Sequence, residues 1–163
     1  MTDSTDFSIP LDIGDDAEMM KGVRMLSDAV DQSRSLEELE GVRWSDPPAD
    51  STSLVRSVHN LRKRPIKDLS VEDLRRLIGQ NEGLRWLVPV ALDYLRRTAP
   101  EEAETGFYDD DLLSAALDVK ADFWQDSPDL ARHLNDTVNM LTDLSSYVQE
   151  EVDKFRASTA GLL

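Results

Sequence analysis

The stretch Gly-Gln-Asn-Glu-Gly-Leu-Arg-Trp-Leu-Val-Pro-Val-Ala-Leu-Asp-Tyr-Leu-Arg-Arg, residues 79–97, decides the fold. Its apolar residues repeat at the three- and four-residue steps of an α-helix and form two stripes. The stripes are Leu84, Leu87, Val88, Ala91, Leu92 and Leu95, and then Trp86, Val90 and Tyr94. Because little of the circumference is left for water, we expect a central buried helix over about 84–97, covered by several other helices.

Pro89 lies inside this pattern, where it removes one backbone donor and clashes with the carbonyl group four residues back. Either the helix begins near Val88, with Pro89 in its first turn, or it is kinked at Pro89. A proline in the first turn costs less, so we expect the helix proper to begin near Val88.

The composition is that of one globular domain. The chain has 163 residues, enough to bury a core, and it has no cysteine, which excludes disulfides and thiolate sites. It contains no apolar run of about 18 residues and no basic-then-apolar signal sequence at its start. We therefore expect a soluble, cytoplasmic protein with no membrane contact.

The net charge of −15 is unevenly distributed along the chain. Residues 1–40 carry 11 acids and 3 bases, residues 41–98 carry 7 acids and 11 bases, and residues 99–163 carry 15 acids and 4 bases. This balance argues against direct nucleic-acid binding, which needs a basic face. It fits a basic protein partner, although acidity that only keeps the protein soluble explains it equally well.

The first half of the chain predicts short helices. We expect a mobile arm over 1–14, then a single helical domain over 15–163 that opens with a helix over 15–32. A capping box, Ser35 with Glu38, predicts one helical turn that ends at Gly41. Residues 44–48 are predicted to form a turn or an extended linker, because the residue before a proline is disfavoured in the α region and two prolines follow one another there.

Two further helices are predicted before the central one. The first covers 53–63 and ends before Pro65. The second begins after Ser70, where Asp73 completes a capping box, and Gly79 is placed to stop it.

In the last third of the chain we predict an acidic loop over 100–106 and then a helix that begins with the acidic residues 109–111. Phe123 and Trp124 follow as a short aromatic pair. Ser127 and Pro128 are a strong start signal for a helix. Apolar steps of three and four residues then continue to Phe155, which predicts one long C-terminal helix over about 128–156, about 40 Å long. No stretch alternates as a strand does, so the predicted fold is all-α.

No residue pattern predicts catalysis, a cofactor or a metal. His59 lies beside the apolar face of its helix and is expected to pack or to form hydrogen bonds, and His133 is expected among solvated neighbours. Asp109, Asp110 and Asp111 could hold a hard cation, but their place at a helix start explains them more simply. We expect a protein that is not an enzyme.

Four cations stand close together at Arg62, Lys63, Arg64 and Lys67. In a strongly acidic protein such a run is expected to pair with the domain's own carboxylates rather than with a nucleic acid. Surface pairs of this kind contribute about 0–1 kcal/mol each.

A resemblance to a known family rests on several motifs taken in order. They are 35–41 (SLEELEG) with Trp44 and Pro47-Pro48, 54–56 (LVR) with His59, 61–66 (LRKRPI), 69–80 (LSVEDLRRLIGQ), 83–84 (GL), 87–92 (LVPVAL), 107–108 (FY), 111–113 (DLL) and 122–124 (DFW). Together, over residues 35–125, they resemble the immunity proteins of bacterial contact-dependent growth inhibition (CDI) systems.

The resemblance implies a small cytoplasmic protein that binds and neutralises a cognate toxin domain. Such toxins are often nucleases with basic active sites, so an acidic protein would be steered to them and could occlude the active site. The family assigns no catalytic residues, and its toxin-binding surface differs from pair to pair. The resemblance therefore implies a role and no site.

For the contact surface we rely on charge. The exposed carboxylates expected on loops and helix starts are the natural contacts to basic side chains, and they are Glu101, Glu102, Glu104, Asp109 and Asp110. A merely solvated surface explains them equally well. Strong self-repulsion favours a monomer or a weak dimer.

Two alternatives stay open. One is a helical adaptor or regulatory protein that dimerises through its C-terminal helix. The other, ranked lower, is a metal-dependent enzyme that uses the aspartates at 109–111.

Overall fold

The computed structural model describes residues 25–105, 110–142 and 144–163, and for 99–105, 110 and 111 it describes the backbone alone. Every regular element in these ranges is a helix, which confirms the all-α prediction. None of the described helices is long and apolar enough to cross a membrane. The predicted mobile arm over 1–14, and the part of the predicted first helix that precedes residue 25, lie outside the described residues.

The described chain opens with a 3-10 helix, Leu26–Ala29, and Val30 after it is extended, with φ −113°. The prediction of an α-helix over 15–32 is therefore wrong for its second half. The physical reason is a tertiary cap: the buried carboxylate of Asp93 accepts the backbone N–H groups of Leu26 at 3.2 Å and of Ser27 at 2.7 Å. These donors are satisfied from the central helix rather than by an α-helix of their own.

Helix α1, Leu36–Glu40, has the predicted capping box, in which Ser35 and Glu38 exchange side-chain-to-backbone hydrogen bonds. It ends at Gly41, whose φ of 69° is left-handed, as predicted. An irregular stretch then leads to α2, Ser53–Leu61, which Thr52 caps. A 3-10 helix, Ile66–Asp68, follows.

Helix α3, Val71–Gly79, begins at the predicted capping box of Ser70 and Asp73. The prediction that Gly79 is the stop residue is wrong in detail. Gly79 is the last helical residue, and the left-handed position falls at Asn81, with φ 55°. Two backbone N–H groups, those of Asn81 and Glu82, bond back to Ile78 and Leu77 and close the turn there.

The central helix, α4, is Leu84–Thr105. It begins a turn earlier than predicted, so Pro89 is inside the helix and not in its first turn, and 100–105 are helical rather than a loop. Leu84, Leu87 and Val88 are all buried, and the free energy of burying them offsets the hydrogen bond that Pro89 cannot donate. The prediction of a buried central helix is confirmed.

Gly83 allows α4 to begin where it does. Its φ is 64°, and a Cβ atom placed there would lie 2.7 Å from the methyl groups of the fully buried Leu36. Only glycine has both the left-handed conformation and the missing side chain that this crossing of α1 and α4 requires.

Three helices follow: α5, Asp110–Leu117, α6, Ala121–Asp126, and α7, Pro128–Asn139. Trp124 of α6 is fully buried, and its ring makes edge-to-face contacts with Phe123 at 5.3 Å and Phe155 at 5.4 Å. The predicted aromatic pair is therefore part of the core. Helix α7 begins at Pro128 as predicted, but the Ser127 side chain makes no capping hydrogen bond.

The prediction of one long helix over 128–156 is wrong, because α7 ends at Asn139 and α8, Ser146–Ser158, begins anew with Ser145 as its cap. The break turns Val148, Val152 and Phe155 back into the core, where each is buried. Full burial of such side chains stabilises by about 1.5–3 kcal/mol each, which exceeds the loss of a few helical hydrogen bonds.

Helix α4 is central in the packing as well as in the sequence. The 3-10 helix Leu26–Ala29 and helices α3, α5 and α7 all pack against it, α3 also packs against α5, and α5 packs against α8. The core of the described residues includes Leu36, Leu61, Ile66, Leu77, Ile78, Leu87, Val88, Leu92, Leu112, Leu113, Trp124, Leu134, Val148, Val152 and Phe155. Helix α5 therefore has α3 and α8 as neighbours, and the groove described next lies between these three helices.

Candidate functional site

The predicted contact carboxylates fall at the end of α4 and the start of α5. Glu101, Glu102 and Glu104 belong to the last turns of α4, and Asp110 is the first residue of α5. Asp109 lies outside the described residues. The structure therefore places four of the five on helices, not on a loop, and their role as toxin contacts stays a prediction.

A groove with a volume of about 260 Å³ runs between α3, α5 and α8, and we call it the α3–α5–α8 groove. Its lining residues are Arg75, Gly79, Ser114, Ala115, Asp118, Tyr147 and Glu151. Asp110 and Ser114 are both on α5, four residues apart, so the groove begins one helical turn from the predicted contact segment.

The groove is acidic. Asp118, the residue directly after α5, and Glu151 of α8 line it, and Glu150 precedes Glu151 on α8. None of these three carboxylates pairs with a cation within the described part of the chain. The cation that lines the groove, Arg75, is paired by Glu72 one turn earlier on its own helix, with Nε 3.2 Å from Oε1. The groove therefore carries net negative charge.

The floor of the groove is made of small residues. A Cβ atom added to Gly79 would meet no atom within 4 Å, and Ala115 is another small residue that lines the groove. Tyr147 lines the groove from α8 and is 63 % exposed, the highest value among the large apolar side chains of the described residues. An open floor beside an exposed aromatic ring is the shape that receives a side chain from a partner.

A different cluster, of Arg62, Glu40, Glu82 and Trp44, fixes the chain between α1 and α2. The fully buried Arg62 guanidinium lies 2.6 Å from the Glu40 carboxylate and 2.7 Å from that of Glu82. It donates to the Val42 carbonyl at 3.2 Å and stacks on the Trp44 ring at 4.2 Å. Burial raises the pKa of Glu82, and the Arg62 charge opposes that rise.

The prediction that the basic run pairs with the domain's own carboxylates is confirmed for three of its four cations. Besides Arg62, Lys63 lies 3.8 Å from Asp46, and Arg64 lies 3.3 Å from Asp73. The burial of Arg62 was not predicted, because the sequence shows it only as one cation among four. Arg62 acts here as the centre of a structural cluster.

The two histidines are structural residues in this arrangement. The His59 ring packs edge-to-face on Trp44 with centroids 4.8 Å apart, as its position predicted. His133 is half-buried, whereas Asp129, Arg132 and Asp136 around it on the helix are exposed, in agreement with the prediction of solvated neighbours. Burial lowers the pKa of His133, and the nearby Arg96 lowers it further, while Asp93 and Asp136 act in the opposite direction.

The described residues hold no group of three or more histidines and acids placed to bind a metal ion. Asp109, the first member of the aspartate cluster proposed for the alternative enzyme, lies outside them. The structure therefore does not test the metal-dependent enzyme, which stays a lower-ranked prediction.

Comparison with known families decides the identity. The sequence model of the CDI immunity proteins matches residues 38–134, which is more than half of the chain. This chain belongs to the CDI immunity proteins. Neither the curated proteins nor the solved structures contain a match to it.

The part of this immunity protein that matches its family includes the Arg62 cluster, the central helix and the α3 and α5 walls of the groove. The α8 wall, with Tyr147 and Glu151, lies beyond residue 134 and outside the match. The groove therefore has two walls inside the family match and one wall outside it.

Sequence reasoning missed the α3–α5–α8 groove. One signal was present but was not used: Tyr147 lies off the apolar stripe that contains Leu144, Val148 and Val152, which places its ring outside the buried face. The sequence could not show that Tyr147 and Glu151 lie beside α3 and α5. In the predicted long helix over 128–156, these two residues would have been far from α5.

Proposed function

We propose that this immunity protein binds the toxin domain of its own CDI system and neutralises it by occluding the active site. Family membership carries the proposal, since it rests on a match over residues 38–134. In this proposal the protein acts in the cytoplasm as a monomer or weak dimer, by binding and without catalysis.

The charge of the chain supports a basic toxin, such as a nuclease. A protein with a net charge of −15 attracts a basic domain over a distance of about one Debye length, which speeds encounter and makes the rate sensitive to salt. We propose that Glu101, Glu102, Glu104, Asp109 and Asp110 contribute contacts to basic side chains of the toxin.

The structure weakens the argument for the adaptor alternative. It needed a long C-terminal helix with a free apolar face, whereas α8 is a separate helix whose residues Val148, Val152 and Phe155 are buried against the rest of the chain. Truncation after residue 143 would remove part of the core and not merely a dimer contact.

The test is a titration of the wild-type chain with the toxin domain encoded immediately upstream, after a pull-down from the source cell. We expect a dissociation constant in the nanomolar range that weakens as salt is raised, together with loss of toxin activity at equimolar ratio. Absence of binding, or binding that leaves the toxin active, would contradict the proposal.

Charge reversal at the five acidic residues tests their part separately. If they contact the toxin, replacing them with lysine raises the dissociation constant and reduces its salt dependence. An unchanged affinity would show that the contact lies elsewhere on the protein.

A further inference from the structure

We propose that the α3–α5–α8 groove is the surface that receives the toxin, and that a lysine or arginine side chain of the toxin enters it beside Tyr147. This inference rests on the proposed function and names the surface that performs it. Three features of the groove support it: its charge, its exposed aromatic ring and its open floor.

Charge selects a cationic occupant. Asp118, the residue directly after α5, and Glu151 of α8 both line the groove, and neither pairs with a cation of the described chain. Arg75 lines the groove as well but already has Glu72 as a partner, so the lining carboxylates outnumber the lining cation. A guanidinium or ammonium group of the toxin that enters the groove would gain from these carboxylates, because charge-assisted hydrogen bonds are about twice as strong as neutral ones.

The aromatic ring gives the groove an anchor. Tyr147 is 63 % exposed and stands at the rim, where it can stack on a cation or on the alkyl part of a lysine or arginine side chain. Tyrosine is among the residues that most often dominate the binding energy of protein interfaces.

The floor provides the space. Gly79 and Ala115 leave the groove about 260 Å³, and no atom lies within 4 Å of the position of a Cβ at Gly79. Gly79 is helical and its φ is not left-handed, so its backbone accepts any side chain. The absence of a side chain at this position keeps the groove open.

The same charge argument disfavours a second copy of this chain as the occupant. Two molecules that each carry −15 repel one another, and a groove lined by carboxylates adds to that repulsion. A second groove of about 300 Å³, beside α6, is a poorer candidate because its cations Arg85 and Lys120 match the carboxylates of Asp122 and Asp126 in number, and Glu40, which also lines it, is paired with Arg62.

The sharpest test fills the groove without unfolding the protein. In Gly79→Trp the indole enters the open space, and we expect the dissociation constant for the toxin domain to rise at least about 30-fold, as for a lost hot spot. Gly79→Ala leaves the groove open and should bind as the wild type does. The matched control is Gly161→Trp, because Gly161 also has no atom within 4 Å of its Cβ position and does not line the groove.

A second test exchanges charge. Asp118→Lys combined with Glu151→Lys should weaken binding at least about 30-fold, because two contacts become repulsive. Asp122→Lys combined with Asp126→Lys changes the net charge equally on exposed positions of α6 outside the groove. Equal losses from the two pairs would show that only the overall charge matters, and would overturn the proposal.

Wild-type binding is measured first, so the two proposals can fail separately. If the wild type neutralises the toxin and Gly79→Trp does so with the same affinity as Gly161→Trp, the groove is not the contact, while the immunity function stands. If the wild type does not bind the toxin, the proposed immunity function and the proposed contact at the groove are both wrong. If sedimentation shows a dimer that Gly79→Trp dissociates, the occupant is a second copy and the proposal is wrong.

Discussion

The guanidinium of Arg62 on the chain after α2 lies 2.7 Å from the carboxylate of Glu82 at the start of the central helix, and its side chain is completely buried. The Arg62 side chain also contacts the Glu40 carboxylate, the Val42 carbonyl and the Trp44 ring, so it connects three separate segments of the chain. A charge is retained in the interior only where several partners offset its desolvation. This cluster therefore holds α1 and the irregular stretch after it against α4.

Replacing Arg62 by methionine should lower the free energy of unfolding by about 3–5 kcal/mol, because it leaves the Glu40 and Glu82 carboxylates without their cation. Urea unfolding followed by circular dichroism measures the change. Arg64→Met is the control, since Arg64 is 57 % exposed in its pair with Asp73 and should cost less than about 1 kcal/mol. Similar losses from both variants would contradict the central role of Arg62.

Gly83→Ala should destabilise the protein by more than about 1–2 kcal/mol. The left-handed backbone accounts for that amount, and the contact of the new Cβ with Leu36 at 2.7 Å adds to it. Gly79→Ala should instead be neutral or stabilise by up to about 1 kcal/mol, because that position is helical and open. Thermal unfolding of the two alanine variants compares the strained position at Gly83 with the open position at Gly79. If Gly83→Ala is as stable as the wild type, the prediction is wrong and α1 can shift relative to α4.

These elements also show how far the sequence predicts the fold. The capping boxes at Ser35 and Ser70 and the left-handed Gly41 are local features, so they were predictable residue by residue. The burial of Arg62, the cap that Asp93 gives to Leu26 and Ser27, and the close approach at Gly83 depend on segments distant in sequence. No periodicity contains that information.

The stability of the protein should depend on pH through His133. Its pKa in the folded protein lies below the ordinary value of 6.5, so between those two values the unfolded chain binds more protons than the folded one. The contribution of neutral His133 is complete above pH 6.5 and is lost as the pH falls through the folded pKa. His133→Gln should remove this component from a stability–pH curve, and superimposable slopes for variant and wild type below pH 6.5 would contradict it.

The break between α7 and α8 depends on a new helix start at Ser145, whose hydroxyl accepts the N–H group of Val148 at 3.2 Å. Ser145→Ala should therefore cost about 1 kcal/mol of unfolding free energy. Ser146→Ala, one residue later and without this hydrogen bond, is the control and should be close to neutral. Equal effects would show that Ser145 is not the cap.

The same break explains why the candidate site was not predicted. Apolar steps of three and four residues continue from α7 into α8, because both helices bury one face in the same core. Periodicity therefore cannot distinguish one straight helix from two helices that fold back. Only the folded-back arrangement brings Tyr147 and Glu151 beside Asp118 and Gly79, and with it the α3–α5–α8 groove.

The most direct test of the immunity function is a co-expression experiment with the upstream toxin domain in a sensitive host. We expect the wild-type chain and Gly161→Trp to restore growth, and Gly79→Trp, expressed at the same level, to fail to do so. If growth stays arrested when the wild-type chain is present, the protein does not neutralise this toxin and the proposed immunity function is wrong.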